Sequence, residues 1–413
     1  MLFRIYQNEG TILTAPLLIH VLSLDTVGGV ESLYMHYLVD ALSRSSAIHY
    51  SCISGKYPHP SFTHRLEKLG HRPFLEQYIM GLRLPKLLHL IIHIRRGMIE
   101  DLVSPTAWVY WNRIEDRSPP GRSIYYEHGA SWSLPVTKAR RQFLSKHSLF
   151  IANSNAAATM LREKWGVSSP ITVIPNPLRP DIALATPRLT PPSGTLRLGY
   201  IGRLVPIKGA FIALHTLKEL LDKKTPTTLH IAGIGPLESE LRRRAEKLNI
   251  HHAVTWKGSI QNVCDFYDAI DMLLVPSIRE PLGLVSLEGA ARGVPVICSR
   301  VDGLPEVVIH GETGICIPPS LKLHEAKELL TSRQGLPEVV VDPTSHTLTE
   351  PRLIDPSDCA DAIQRLWYNG DQYVQCSRKA VALAAGRSDF TMYTAALRSL
   401  LENNPSPILE EDT

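Results

Sequence analysis

The sequence has no C-x-x-C pair. Its six cysteines, Cys52, Cys264, Cys298, Cys316, Cys359 and Cys376, are scattered along the chain. That spacing offers neither a disulfide framework nor a zinc site and suits a reducing cytosol. No apolar run reaches the roughly 18 to 20 residues of a membrane-crossing helix. The longest near the start, Ala15 to Leu24, is interrupted by Pro16, His20 and Ser23. A basic start followed by a small-residue cleavage site is also missing, so no signal peptide is expected. Net charge is small, +4 over 413 residues, with 44% hydrophobic and 20% charged residues. This composition excludes disordered, fibrous and membrane-spanning classes and leaves a soluble globular chain of two domains or one elaborate domain.

The small net charge conceals an asymmetry. Through residue 190 there are 21 basic against 13 acidic side chains, and beyond it 23 against 27. The first part therefore carries +8 and the second −4. A basic part faces a phosphorylated substrate, a polyanion or an anionic membrane, or is plain solvated surface.

Two stretches alternate short apolar runs with helical periodicity, as in α/β units with a parallel sheet. The first opens with a strand at Leu17 to Leu22, a Gly28-Gly29 turn and a helix through Glu31 to Leu42. The second opens with a strand at Leu196 to Ile201, a loop through Lys208-Gly209, a helix at Phe211 to Leu221 and a strand at Thr228 to Ala232. Between them the prolines from Pro175 to Pro192 sustain neither helix nor central strand. The expected organisation is an N-terminal Rossmann-like domain at 1–178, a linker at 179–194, a second Rossmann-like domain at 195–370 and closing helices with a frayed tail at 371–413. An irregular insertion is expected at about 318–356, with a marginal helix at Leu321 to Leu330. Helices are also expected at Asp358 to Tyr368 and Phe390 to Leu401.

The segment from Pro276 to Val296 carries the strongest chemical signal. It follows the apolar run Met272 to Val275, so it begins at the carboxyl end of a strand, where open α/β sheets bind ligands. Gly283 permits close backbone approach, and a helix starting near Leu284 directs its first amides and positive dipole end at a ligand phosphate. Glu280 and Glu288 flank that helix start. Two carboxylates so placed can hold hydroxyls at two ends of one ligand. Arg203 and Lys208, five positions apart after the Leu196 strand, combine a planar fork and a point charge, a pairing suited to a diphosphate. Ile231 to Pro236 suggests a dinucleotide fingerprint, but Glu238 stands where its third glycine is required.

The Glu280 to Glu288 segment resembles the E-x7-E region of the retaining glycosyltransferases known as glycosyl transferases group 1, or family 4. The resemblance extends through Gly28-Gly29-Val30-Glu31, Glu127-His128-Gly129, Asn153-Ser154, Pro175-Asn176-Pro177, Gly199 to Leu204 with Lys208-Gly209, Ala232 to Pro236, and Asp302 to Glu306 with Gly311 to Gly314. It covers roughly residues 17 to 318 and the last helices. It implies the GT-B fold, α/β, with two Rossmann-like domains facing across a cleft. It also implies transfer of a hexosyl unit from a nucleoside diphosphate sugar, UDP- or GDP-linked, to a glycan or lipid-linked glycan in cell-surface polysaccharide biosynthesis, lipopolysaccharide included.

By the same resemblance Arg203 and Lys208 bind the donor pyrophosphate, and Glu280 orients the sugar hydroxyls. His128 touches the donor sugar near the reacting carbon, and Glu288 holds the ribose. Gly28 and Gly29 approach the donor phosphate and the acceptor. Gly233 and Gly235 lie beside the base with Ser259 and Ile260 across from them, and Gly283, Leu284 and Val285 meet the phosphate. No cofactor or metal is expected, since these cations serve the leaving group and no D-x-D motif occurs. No nucleic acid partner is expected. A nucleotide-sugar epimerase or hydrolase of the same fold, and a catalytically silent assembly subunit, are the alternatives. The first needs further acid/base carboxylates, and the second sits badly with an intact Arg203, Lys208, Glu280 and Glu288 set.

Lys86, Arg95 and Arg96 around Leu87 to Ile94, with Lys138, Arg140, Arg141 and Lys146, suit peripheral contact with an anionic inner membrane face. The alternative, that Leu87 to Ile94 is the buried face of a Rossmann helix, is the expectation for most of those residues. Two departures from the family pattern stand out: the long 318–356 stretch, and Leu282 where an aromatic residue is more common.

Overall fold

The computed structural model describes residues 15–26, 28–79, 82–83, 90–326, 328–330, 332 and 334–402. Lys86 to His89 and the expected frayed tail beyond Glu402 lie outside them.

The first sheet is built on β1 (Leu17–Leu22), whose apolar residues are almost wholly buried. Its other members are β2 (Ile48–Ile53), β3 (Phe74–Leu75), β6 (Ala107–Trp111), β7 (Ser123–Glu127), β8 (Leu149–Ala152) and β9 (Ile171–Val173), and β4 (Tyr78–Ile79) and β5 (Leu82–Arg83) form a small hairpin apart. The order is β3-β2-β1-β6-β7-β8-β9. The pairs β1–β2, β1–β6, β2–β3 and β6–β7 are parallel.

The second sheet runs β12-β11-β10-β13-β14-β15, from β10 (Leu196–Ile201), β11 (Thr227–Ala232), β12 (Val254–Gly258), β13 (Met272–Val275), β14 (Val296–Ser299) and β15 (Gly314–Ile317). Every pair in it is parallel. Strand order reverses between β10 and β13, the topological switch point of a doubly wound sheet. Leu198, Leu229, Met272, Leu274 and Ile297 form its core with the helices Ala210–Asp222 and Pro356–Tyr368.

Among the described residues of 318–355 there is no helix. Leu321 to Leu330 opens as β16 (Leu321–Lys322), paired antiparallel with β19 (Arg352–Leu353), and continues in turns. The expected helix gives way because Leu321 joins a ladder with Leu353, while Ala326 and Leu330 reach the core from isolated turns. Within the same stretch β17 (Val340–Asp342) and β18 (Thr347–Thr349) make a hairpin. Val341 packs on Trp132, Ala156 and Met160.

The described chain separates into two compact units, one of residues 15–126, 138–150 and 394–402, the other of 127–137 and 151–393. In the first, Gly28 caps the helix Gly29–Arg44 with extended backbone, φ −132°. A left-handed conformation is therefore not what this glycine supplies; a Cβ there would lie 2.4 Å from the Glu31 carboxylate. A buried aromatic group, His20, Tyr34, Tyr37, His49 and Trp111, fills the space beneath that helix. His20 Nε2 lies 3.0 Å from His49 Nδ1, and Trp111 Nε1 donates to His20 Nδ1 at 3.0 Å. Burial holds both histidines below their ordinary value, His49 at about 4. The last turns of the helix Phe390–Glu402 close this unit: Arg398 pairs with Asp40 at 3.1 Å, and Ser45 Oγ donates to Glu402 at 2.6 Å. Ile94, expected on a buried face, is exposed, as are Met98 and Leu102 on the helix Leu90–Val103, whereas Arg96, expected on a cationic surface, is buried and paired with Glu76 and, at 2.7 Å, with Glu115.

Candidate functional site

The site lies in the second unit, outside the carboxyl ends of β10 and β13. After β10 the chain passes Arg203, makes a single 3-10 turn at Pro206–Lys208 and stops at Gly209, whose φ of +67° is left-handed. A Cβ on Gly209 would lie 2.1 Å from the Pro276 carbonyl oxygen, so glycine is what lets this loop touch the one after β13. Ile278 N donates to Ile207 O at 2.9 Å and fastens the two loops side by side.

That apposition brings Lys208 and Glu280, 72 residues apart, into a 2.6 Å ion pair on Oε2. Ser277 Oγ donates to the same oxygen at 3.1 Å. Glu280 is only 8% exposed, so its charge is held by these donors rather than by water. Arg203 is exposed and has no ion-pair partner among the described residues. Lys208, on the same loop as Arg203, can thus serve both an ordered carboxylate and an incoming anion.

Gly283, with φ +95°, caps the helix Leu284–Ala291. The amides of Leu284 and Val285 occupy its first turn and have no intrahelical acceptor. One turn on, Glu288 is buried, with Tyr267 Oη donating to Oε2 at 2.9 Å and Arg179 pairing with Oε1 at 2.9 Å. Burial outweighs the arginine and raises its carboxyl above the ordinary range. Neither Arg179 nor Tyr267 carries a periodic or motif signal; only the fold places them here.

Gly233 and Gly235 form the turn after β11. A Cβ on Gly233 would sit 1.9 Å from Gly202 O, and Gly233 N donates to Gly258 O at 2.7 Å. The turn therefore lies between the loop of Arg203 and the end of β12, where Ser259 is exposed and Ile260 packs partly on the core.

His128 follows β7 and is buried. Burial lowers it to about 3, so the ring is neutral at physiological pH. Asn176 Nδ2 lies 3.5 Å from its Nδ1; an amide donor at that nitrogen puts the ring proton on Nε2. Glu127 accepts from the backbone N–H of Gly129 and of Ser131, the latter at 3.2 Å, which fixes the turn that carries the histidine. Gly129 in turn lies against Pro281: a Cβ there would be 2.8 Å from the proline ring. Ser154 Oγ donates to Pro281 O at 2.6 Å. The His128 segment and the Glu280 loop are thereby packed together, joining Arg203, Lys208, Glu280, His128, Gly283 and Glu288 in one unit. Gly28 and Gly29 belong to the other unit.

The sequence gives Asp302 no role beyond its place in a matching segment. It is fully buried with φ +47°, and burial raises its carboxyl to about 6. Its Oδ2 accepts Glu280 N at 2.9 Å; its Oδ1 accepts Val341 N at 2.7 Å and Trp132 Nε1 at 3.0 Å.

Two family models match this chain. Glycosyltransferase Family 4 matches residues 27–182, and Glycosyl transferases group 1 matches residues 186–333. The chain belongs to the group 1 glycosyltransferases. Within this family, a glycogen synthase of Mycobacterium tuberculosis is 37% identical over 131 residues, covering 31% of this chain and 32% of its own length. A D-inositol 3-phosphate glycosyltransferase of Corynebacterium jeikeium is 28% identical over 284 residues, 64% of this chain and 59% of its own. The chain thus spans about a third to three fifths of the length of these curated relatives. Among solved structures, the Anabaena HepE protein in complex with UDP and glucose aligns over 94% of this chain and 100% of its own, with a TM-score of 0.65 at 16% identity. That likeness is one of fold, the two Rossmann-like domains of GT-B.

Proposed function

We propose that this group 1 family member transfers a hexosyl unit from a nucleoside diphosphate sugar to a hydroxyl of a glycan or lipid-linked glycan, with retention at the anomeric carbon. The observation that carries the reading is the Lys208–Glu280 pair at the switch point of the second sheet, beside the start of the helix Leu284–Ala291. As the bond to the anomeric carbon breaks, negative charge grows on the departing β-phosphate. Arg203, Lys208 and the amides of Leu284 and Val285 stabilise that charge. Glu280, already ordered by Lys208 and Ser277, receives sugar hydroxyls. Neutral His128 holds the sugar near the reacting carbon, and the leaving phosphate takes the acceptor proton. Glu288 receives the ribose hydroxyls, with Gly233, Gly235, Ser259 and Ile260 beside the base. Since the HepE protein is seen with UDP and glucose, UDP-hexoses are the first donors to test.

Labelled UDP-, GDP- and ADP-sugars are offered to the wild type and to Arg203→Ala, Lys208→Ala and Glu280→Ala. Product dependent on acceptor in the wild type, with large losses in the variants, supports the proposal. Near-normal rates in all three variants remove the site assignment, and product without acceptor turns the reading to an epimerase or hydrolase. No metal enters this scheme, so turnover should survive chelation.

The exposed Ile94, Met98 and Leu102 support a peripheral membrane contact by the first unit. No helix among the described residues is long and apolar enough to cross a membrane. Flotation with anionic vesicles at low and high salt tests the contact; no association at either removes it.

A further inference from the structure

The loop of Glu280 is ordered by more than Lys208. The Asp302-Gly303 pair clasps Glu280 twice: Glu280 N donates to Asp302 Oδ2 at 2.9 Å, and Gly303 N donates to Glu280 O at 3.1 Å. Asp302 makes a second reciprocal clasp with the hairpin β17–β18, its own N–H donating to Val341 O at 3.0 Å while its Oδ1 accepts Val341 N at 2.7 Å. The third donor, Trp132 Nε1, comes from the segment just beyond His128. Three stretches distant in sequence, two of which carry site residues, therefore converge on one carboxylate.

The backbone says the same. A non-glycine residue at φ +47° pays a steric penalty, lowest for aspartate and asparagine. Glycine would relieve it. A buried carboxylate at such a position is explained by the three N–H groups it satisfies, each of which would otherwise be buried without an acceptor.

We propose that Asp302 is a positioning residue for the transfer reaction, the shared anchor that fixes the Glu280 loop against the His128 segment and ties both to the hairpin β17–β18. The inference rests on the transferase reading above and extends it. The hairpin of the long 318–356 stretch thereby becomes a brace of the site rather than a surface embellishment.

Two substitutions separate this role from a merely structural one. Asp302→Asn keeps size and backbone tolerance, but its single carbonyl oxygen leaves an NH2 group facing either Glu280 N or the Val341 and Trp132 donors. Asp302→Gly relaxes the backbone and removes every acceptor. Turnover with the UDP-hexose that the wild type uses, UDP affinity and stoichiometry by calorimetry, and amide exchange are measured on the same samples. The expected result is a fall in kcat of about tenfold to a hundredfold in both variants, the scale of a small misplacement of a reacting group. UDP still binds at full stoichiometry with Kd within about threefold, because Lys208, Arg203 and Glu288 remain; that margin is small beside the tenfold of 1.4 kcal/mol. Exchange quickens at the amides of Glu280 and Val341 and not across the sheet. Trp132→Phe, which removes one donor and keeps an aromatic ring in place of the indole, lowers kcat less. Wild-type kcat in both variants overturns the proposal, as does a loss that merely follows lost UDP stoichiometry and faster exchange throughout. If the wild type turns over no donor, the transferase reading fails by itself, and exchange at Glu280 and Val341 decides whether Asp302 anchors the loop.

Discussion

Glu280 shows how a single side chain is prepared before any ligand arrives. Lys208 and Ser277 share its Oε2, and its own amide is held by Asp302. A charge so fixed does not have to reorganise when substrate binds, which is where electrostatic catalysis draws its strength. Replacing Glu280 by Gln removes the charge and leaves Lys208 without its partner, and donor turnover should fall about 10²- to 10³-fold, the range for removing one preorganised polar contact. Steady-state rates with labelled donor check this. His128 makes a contrasting forecast. With burial lowering it to about 3, it stays neutral across the working range, so kcat measured from pH 5.5 to 8 carries no limb that disappears in His128→Ala, although the rate itself drops. A limb near 6.5 lost in that variant would show a titrating histidine instead.

Among the elements, the paired loops after β10 and β13 are held by geometry that admits one residue type. Gly209→Ala would force a left-handed alanine whose Cβ meets Pro276 O, and should destabilise the fold by about 1 to 3 kcal/mol, the cost of such strain. Thermal unfolding measures it, and weaker UDP binding should accompany it because Lys208 directly precedes the glycine. Glu306 caps the helix Asn155–Glu163, accepting from Asn155 N at 2.9 Å and Ala156 N at 3.0 Å. Glu306→Ala should cost about 1 kcal/mol, as for a lost cap. The strands that support these loops were legible because β1, β10 and β13 are short segments rich in apolar residues, and the Arg203, Lys208 and Glu280 positions followed from where those segments end. What could not be read was every contact that depends on the tertiary path. Arg179 meets Glu288 across 109 positions, and Asp302 meets Glu280 across 22, with no period or spacing to signal either. The false helix at Leu321 to Leu330 has the same origin: its apolar spacing allowed a helix, but pairing with Leu353 took the backbone elsewhere.

For the molecule as a whole, buried histidines should make both units sensitive to acid, His128 in the second and His20 and His49 in the first. His49 titrates at about 4 when folded, against 6.5 when free, and His20 is held low as well. Burial is the main cause, with Arg398 and His71 adding to it for His49, while Glu402 stands 3.8 Å from its Nε2. A histidine whose folded value is depressed binds protons more readily unfolded. Its contribution is therefore full above about pH 6.5 and lost as pH falls toward 4. For His49 that amounts to about 3 kcal/mol, at 1.36 kcal/mol per pH unit. The melting temperature should fall steadily from pH 7 to pH 4.5, and less steeply in His49→Gln.

Early and late segments of the described chain meet in the first unit. The helix Phe390–Glu402 supplies Leu397 and Leu401, both buried, together with Arg398 and Glu402, to a body whose other strands and helices come from the first 150 residues. Synthesis therefore delivers the pieces out of order. Residues 151–393 emerge while the earlier unit still lacks its closing helix, so of the two units the one begun earlier is completed later.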